Sequence, residues 1–154
     1  MADIVSSDIR SRMMSGIRAT NTKPELRIRH LLHRRGFRFR LHDRSLQGTP
    51  DIVLPRFKAV IFVHGCFWHS HECPLFKMPG TRQEFWEAKV NRNREVDKAA
   101  QTALRHSGWR VGLVWECAMR GTGRFDDDDI ADRLMKWLRG NRRSLEIRGR
   151  KARG

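Results

Sequence analysis

The chain has 154 residues, of which 39% are hydrophobic and 32% charged, a size and balance that fit one soluble domain with a single core. Lysine and arginine number 32 against 17 acidic residues, and 25 of the 32 are arginine, which favours nucleic acid over acidic lipid as the partner. No apolar run approaches the ~20 residues that span a bilayer, and the amino terminus has no secretion pattern, so we expect a cytoplasmic protein that does not enter membranes.

An arm and a helix open the predicted order of elements. Residues 1–21 are polar and basic, and they are expected to form an arm or a weak helix that contacts DNA. The sequence Thr22-Lys23-Pro24-Glu25 matches a capping box with proline in the first turn. We therefore expect a helix over about residues 23–35 that ends at Gly36.

Three strands are predicted next. Phe37, Phe39 and Leu41 alternate with polar residues, as in a half-buried strand. The stretch Asp51-Ile52-Val53-Leu54 is short and bounded by prolines, and it predicts a second strand. Residues 59–63 are continuously apolar, which predicts a strand in the interior of the sheet.

In the carboxy-terminal half, the sequence predicts a long helix, a strand, a second helix and a tail. Thr81 and Glu84 match a second capping box before a long helix, whose core-facing residues would include Phe85, Val90 and Val96. Residues 109–115 then predict a buried strand.

Four consecutive aspartates, Asp126–Asp129, precede a helical pattern that continues to residue 138. They could bind a metal, but acidic residues at a helix start are typical of capping, which we favour. Residues 140–154 have no periodicity and are expected to form a flexible basic tail. The elements together predict an α/β fold with a mixed sheet flanked by helices, in one domain over residues 22–139.

The loop at residues 64–80 is crowded with chemically specialised side chains. Three of them have the spacing C-x4-H-x-C: Cys66, His71 and Cys73. Cys117 ends a later predicted strand, and it would complete a closed, structural Zn2+ site. His69 could replace His71 as the fourth ligand, and three unrelated buried thiols are the alternative.

Candidates for catalysis lie near the same loop. Asp51 opens a strand directly after a proline, where an aspartate is most often a turn residue but where many metal-dependent nucleases place a carboxylate. Val63 and His64 occupy the positions of the second carboxylate and the lysine of the usual nuclease signature. His64 and His69 could transfer protons near neutral pH, or they could bind zinc or hydrogen-bond within the loop.

Three aromatic residues lie in or near this loop: Phe67, Trp68 and Trp86. Core packing is the ordinary explanation for such residues. In a very basic protein they could also stack on bases or wedge between them. The residues alone leave both explanations open.

Four short stretches carry most of these specialised residues: Thr49-Pro50-Asp51, His64-Gly65-Cys66-Phe67-Trp68-His69, Glu84-Phe85-Trp86 and Val114-Trp115-Glu116-Cys117. Together, over about residues 8–139, they resemble the very short patch repair DNA mismatch endonucleases. The resemblance implies a restriction-endonuclease-like fold with a structural zinc. It also implies Mg2+-dependent nicking of double-stranded DNA 5′ of the thymine in a T·G mismatch, which arises when 5-methylcytosine deaminates.

The resemblance implies roles for individual residues as well. Asp51 and the backbone carbonyl of Val63 would bind Mg2+, and His69 would be the general base with support from His64. Glu25 would lie near the water network, although it is also the third residue of a capping box. Val63 departs from the threonine of the best-known pattern, which matters little if only its carbonyl is used.

The remaining implied roles concern zinc and DNA. The zinc ligands would be Cys66, His71, Cys73 and Cys117, which leaves His69 free for catalysis. The residues that intercalate beside the mismatch would be Phe67, Trp68 and Trp86, with Met14 entering from the minor groove. We expect a monomer with repair-pathway proteins as further partners. The alternatives are a restriction-type or junction-resolving nuclease and a non-catalytic, zinc-stabilised DNA-binding module.

Overall fold

Five strands form one mixed sheet in a computed structural model that describes residues 22–65 and 82–150. The strands are β1 (Arg40–Leu41), β2 (Ile52–Leu54), β3 (Ala59–His64), β4 (Arg110–Trp115) and β5 (Ser144–Ile147). They lie side by side in chain order. The pairs β1–β2 and β2–β3 are antiparallel, and the pairs β3–β4 and β4–β5 are parallel.

Three α-helices flank this sheet in the described ranges: α1 (Lys23–Arg34), α2 (Gln83–His106) and α3 (Asp127–Arg139). Two of them begin as the sequence predicts. The Thr22 hydroxyl accepts the backbone N–H of Glu25 at 3.3 Å, and Asp126 accepts that of Asp129 at 2.9 Å. The aspartate run is thus a helix start, as expected from the favourable interaction of acids with the helix dipole.

The core lies on both faces of the sheet because successive strand residues point to opposite sides. On one face, Ile61 of β3 joins a cluster with Ile28 of α1 and Leu134 of α3. On the other face, Phe62 joins a smaller cluster with Leu104 of α2. No helix within residues 22–65 and 82–150 has the length and apolar character needed to cross a membrane.

The first strand is shorter than predicted. Phe37 is buried but lies before β1, and Leu41 is 40% exposed. His42, which follows directly, has a φ of 47°, in the left-handed region, so the extended backbone ends there. A tertiary turn, rather than the alternating pattern, therefore sets the length of β1.

The long helix faces the sheet differently from the prediction. Phe85 and Val96 are 47% and 57% exposed, whereas Val90, Ala100 and Leu104 are buried. Its 24 residues extend beyond the six-residue strands beneath it, so only part of its length has a surface to cover. Arg82 occupies the cap position without a side-chain cap hydrogen bond, and Thr81 lies outside the described residues.

The carboxy-terminal segment differs from the flexible tail that the sequence predicts. Residues 144–147 form β5, which pairs with β4, and Ile147 is 1% exposed. Beyond the strand, the backbone N–H of Arg150 donates to the carbonyl of Gly123 at 2.8 Å. The sequence did not predict β5 because four residues are too few to show an alternating pattern. Its pairing partner β4 also lies about 30 residues earlier in the chain.

Candidate active site

Two acidic side chains and one histidine meet beside the start of β2. Glu25 lies in the first turn of α1, His42 follows β1, and Asp51 precedes β2. One ligand atom from each of these three residues lies within 4.8 Å of those of the other two. The backbone N–H of His42 donates to the carbonyl of Asp51 at 3.1 Å, which continues the pairing of β1 with β2 by one further bond.

Asp51 is a buried carboxyl whose surroundings raise its pKa well above the ordinary value. It is 8% exposed, and its Oδ2 accepts the backbone N–H of Val63 at 2.7 Å. Burial raises the pKa of Asp51 to about 7, with repulsion from Asp97 adding to the rise, while the Val63 N–H and the charge of Arg29 oppose it. A bound cation would favour the ionised form of this carboxyl.

Glu25 is more deeply buried, with 1% exposure, and its carboxylate is fully engaged. It forms an ion pair with Arg29, one helical turn later, and both of its oxygens lie 3.0 Å from Nε2 of His42. In a capping box this side chain would return to the helix start. The backbone N–H of Glu25 donates to the Thr22 cap, whereas its carboxylate contacts Arg29 and His42. The same residue can therefore serve both the helix start and the site, through different atoms.

Arg29 and His42 complete the electrostatics of the group. Burial lowers the pKa of Arg29, and burial together with the charge of Arg29 lowers the pKa of His42. Nε2 of His42 lies 3.0 Å from both carboxylate oxygens of Glu25 and 3.3 Å from a guanidinium nitrogen of Arg29. We assign the imidazole proton to Nε2, because the two acceptors are closer than the one donor. His42 is then a neutral donor and Arg29 supplies the positive charge.

Neither Arg29 nor His42 is a site residue in the sequence analysis. Arg29 is one of 25 arginines, although its spacing of four from Glu25 on a predicted helix was a usable signal for a pair. His42 had no comparable signal, because it reaches Glu25 only after the chain turns between β1 and β2.

His64, a predicted catalytic residue, is the last residue of β3 and is 5% exposed. Its ring contacts Trp115 edge-on, with centroids 5.2 Å apart, and lies 5.7 Å from the ring of Phe62. Among the described residues, His64 is not a member of the Glu25–His42–Asp51 group. Its place at the end of β3 nevertheless puts it next to Val63, whose N–H holds Asp51.

Two further predicted residues have defined surroundings. Cys117 is 5% exposed in a single 3-10 turn after β4, and its Sγ accepts the backbone N–H of Gly149 at 3.2 Å. Trp86 is half-buried in the first turn of α2, with its ring centroid 5.3 Å from that of Phe85. The other predicted ligands, bases and wedges lie outside the described residues: Met14, Cys66, Phe67, Trp68, His69, His71 and Cys73.

Comparisons with known proteins identify a family of DNA endonucleases. The profile of a family described as DNA mismatch endonuclease Vsr matches residues 2–75. DNA mismatch endonuclease Vsr of Escherichia coli K12 is 44% identical over 147 residues, which are 96% of this chain and 94% of that protein. Type II nicking enzyme V.XorIIP of Xanthomonas oryzae is 46% identical over 123 residues, covering 80% of this chain and 90% of the relative.

A solved structure shows a similar fold. The catalytic domain of homing endonuclease I-Bth0305I superimposes with a TM-score of 0.50 and 21% sequence identity. The match covers 76% of this chain and 94% of that domain. At this identity the likeness concerns the α/β architecture alone.

Proposed function

The chain belongs to the Vsr family of DNA mismatch endonucleases, and we propose that it nicks double-stranded DNA on the 5′ side of the thymine in a T·G mismatch. We place it in the bacterial cytosol as a monomer with a restriction-endonuclease-like fold. The observation that carries the proposal is the pair of buried carboxylates, Glu25 and Asp51, which lie close together beside the start of β2 in a chain of net charge +15.

The residues present fit a Mg2+ ion at Asp51. Carboxylate and carbonyl oxygens are the ligands that Mg2+ prefers, and nuclease-type sites need only one or two carboxylates. In an extended strand the N–H and C=O of one residue point to the same edge. Because the Val63 N–H faces Asp51, the Val63 carbonyl faces the same edge, which supports its proposed role as the second ligand.

Mg2+ held by Asp51 and Val63 would supply stabilisation of the charge that develops on the scissile phosphate and the leaving oxygen. Glu25, fixed by Arg29 and His42, would orient water in the site. His69 would remove the proton from the attacking water, and His64 would orient or assist it.

A structural zinc is the second metal of the proposal. Its ligands would be Cys66, His71, Cys73 and Cys117. The buried Sγ of Cys117 already accepts a backbone N–H, the kind of contact that supports a thiolate ligand. Zinc would hold the loop that carries His69 and the wedge residues.

Mismatch recognition would rest on aromatic side chains. Trp86 and its neighbour Phe85 lie at the start of α2, and Arg82 lies 4.8 Å above the Phe85 ring. An exposed phenylalanine and a half-buried tryptophan beside a cation suit insertion into a duplex whose stack is weakened at a mismatch. Phe67, Trp68 and Met14 would act with Trp86.

A panel of labelled duplexes tests this function. We expect nicking of T·G DNA with Mg2+, and little nicking of matched C·G DNA or of T·G DNA without the metal. Preferential cleavage of branched DNA would instead indicate a junction-resolving nuclease. Tight binding without nicking under all conditions would indicate a DNA-binding module.

A further inference from the structure

We propose that His42 is a positioning residue that joins the two carboxylates of the active site. Its side chain contacts Glu25, with Nε2 3.0 Å from both carboxylate oxygens. Its backbone N–H donates to the carbonyl of Asp51 at 3.1 Å. One residue therefore contacts both acids through two separate atoms. This inference rests on the proposed function, since it assigns Glu25 and Asp51 to catalysis.

The backbone of His42 is adapted to this double contact. Its φ of 47° lies in the left-handed region, which is uncommon for residues other than glycine, although histidine, asparagine and aspartate adopt it more often than most. Such conformations persist where surrounding contacts hold them, and they are frequent at functional sites. Here the turn directs the N–H of His42 to the strand that follows and its ring to α1.

Arg29 and His42 both contact the Glu25 carboxylate, but they do so in different ways. The guanidinium of Arg29 compensates the charge of the buried carboxylate through an ion pair. The ring of His42 contributes a further contact to the same carboxylate, from a different part of the fold. Glu25 lies in α1 and Asp51 directly precedes β2, so a link between these two parts of the fold fixes the separation of the two acids.

The consequence is expected in the chemical step rather than in DNA binding. A misplacement of about 1 Å at a reacting group can cost as much as 100-fold in rate. DNA affinity depends mainly on phosphate contacts made by exposed cations, and the His42 side chain is only 21% exposed. Losing the link should therefore lower the nicking rate and leave affinity nearly unchanged.

Three substitutions of His42 separate positioning from packing. His42→Leu removes the donor. His42→Gln keeps an N–H donor at about the distance of Nε2, because the glutamine amide nitrogen is equally far along the side chain. His42→Asn suits the left-handed backbone but is too short to reach Glu25. His30→Leu, on the exposed face of α1, is the matched control.

Single-turnover nicking and metal-free binding of a T·G duplex are measured for each variant. We expect His42→Leu and His42→Asn to nick about 10- to 100-fold more slowly, with dissociation constants within about threefold of wild type. His42→Gln should recover to within about fivefold of the wild-type rate, and His30→Leu should match wild type.

Equal rates for His42→Gln and His42→Asn would overturn the proposal, as would a folded His42→Leu variant of wild-type rate. If His42→Leu does not fold, the Gln and Asn pair decides the matter alone. Failure of the proposed function is distinguishable, because the wild-type protein would then fail to nick T·G DNA. The same variants are in that case compared on whichever duplex the wild-type protein nicks.

Discussion

Asp51→Asn should stabilise the Mg2+-free protein at alkaline pH while it abolishes nicking. Burial is the main reason that the pKa of Asp51 rises from 3.8 to about 7 in the folded chain. The folded state therefore retains a proton that the unfolded state has lost. The stability that this proton contributes is complete below about pH 4 and disappears as the pH rises through about 7.

The size of the effect follows from the shift. At about 1.4 kcal/mol per pKa unit, the full change is about 4 kcal/mol, of which about 2 to 3 kcal/mol falls between pH 5 and pH 8.5. Asparagine is neutral throughout this range, and its amide oxygen can still accept the N–H of Val63. The free energy of unfolding of Asp51→Asn should thus exceed that of wild type increasingly as the pH rises.

Urea unfolding in Mg2+-free buffer at several pH values measures this difference. Asp43→Asn is the control of opposite sign, because hydrogen bonds from Ser45 lower the pKa of the exposed Asp43 carboxyl. Asp43 contributes its stability above the unfolded pKa and loses it only in acid. The difference between Asp43→Asn and wild type should therefore stay constant from pH 5 to 8.5.

Two outcomes would refute the reasoning about Asp51. A constant difference between Asp51→Asn and wild type from pH 5 to 8.5 would show that this carboxyl is not desolvated in the folded state. Added Mg2+ should stabilise wild type at pH 8.5 and have little effect on Asp51→Asn, since a ligand stabilises only the state that binds it. Rapid single-turnover nicking by Asp51→Asn would show that Asp51 is not the metal ligand.

The other predictions concern zinc, mismatch choice and the carboxy-terminal strand. Metal analysis should find one Zn2+ per chain and a loss of that zinc in Cys117→Ser; a zinc-free wild-type preparation from zinc-containing medium would contradict the site. Trp86→Ala should reduce the preference for T·G over C·G DNA, measured as the ratio of the two affinities at fixed salt. Arg143→Ala, the control, should weaken binding to both duplexes alike. An unchanged preference in a folded Trp86→Ala variant would exclude a wedge role for Trp86. In urea unfolding, Ile147→Ala should lower the free energy of unfolding by about 2 to 4 kcal/mol, because Ile147 is buried. Glu146→Ala should lower it much less, because Glu146 is exposed. Equal effects would mean that β5 does not pack against the core.

The sequence by itself determined the features that depend on near neighbours in the chain. The capping residues Thr22 and Asp126 were readable because a cap involves residues only three apart. The apolar run at residues 59–63 predicted the central strand β3, since a strand buried on both faces needs no polar alternation. The motifs around His64 and Cys117 predicted the family, which the comparisons with known proteins confirm.

The tertiary structure decided what depends on distant partners. Ser144–Ile147 became a strand because β4 offers a free edge, not because of any local period. The face that α2 turns to the sheet was set by where the strands end, so Val96 is exposed despite its apolar side chain. Glu25, Arg29 and His42 form one group only because the left-handed turn at His42 brings the residue after β1 beneath α1. Hydrogen bonds between separate elements leave no repeating pattern in the sequence, whereas the burial of one helix or strand does. This is the physical reason that the site was only partly predictable.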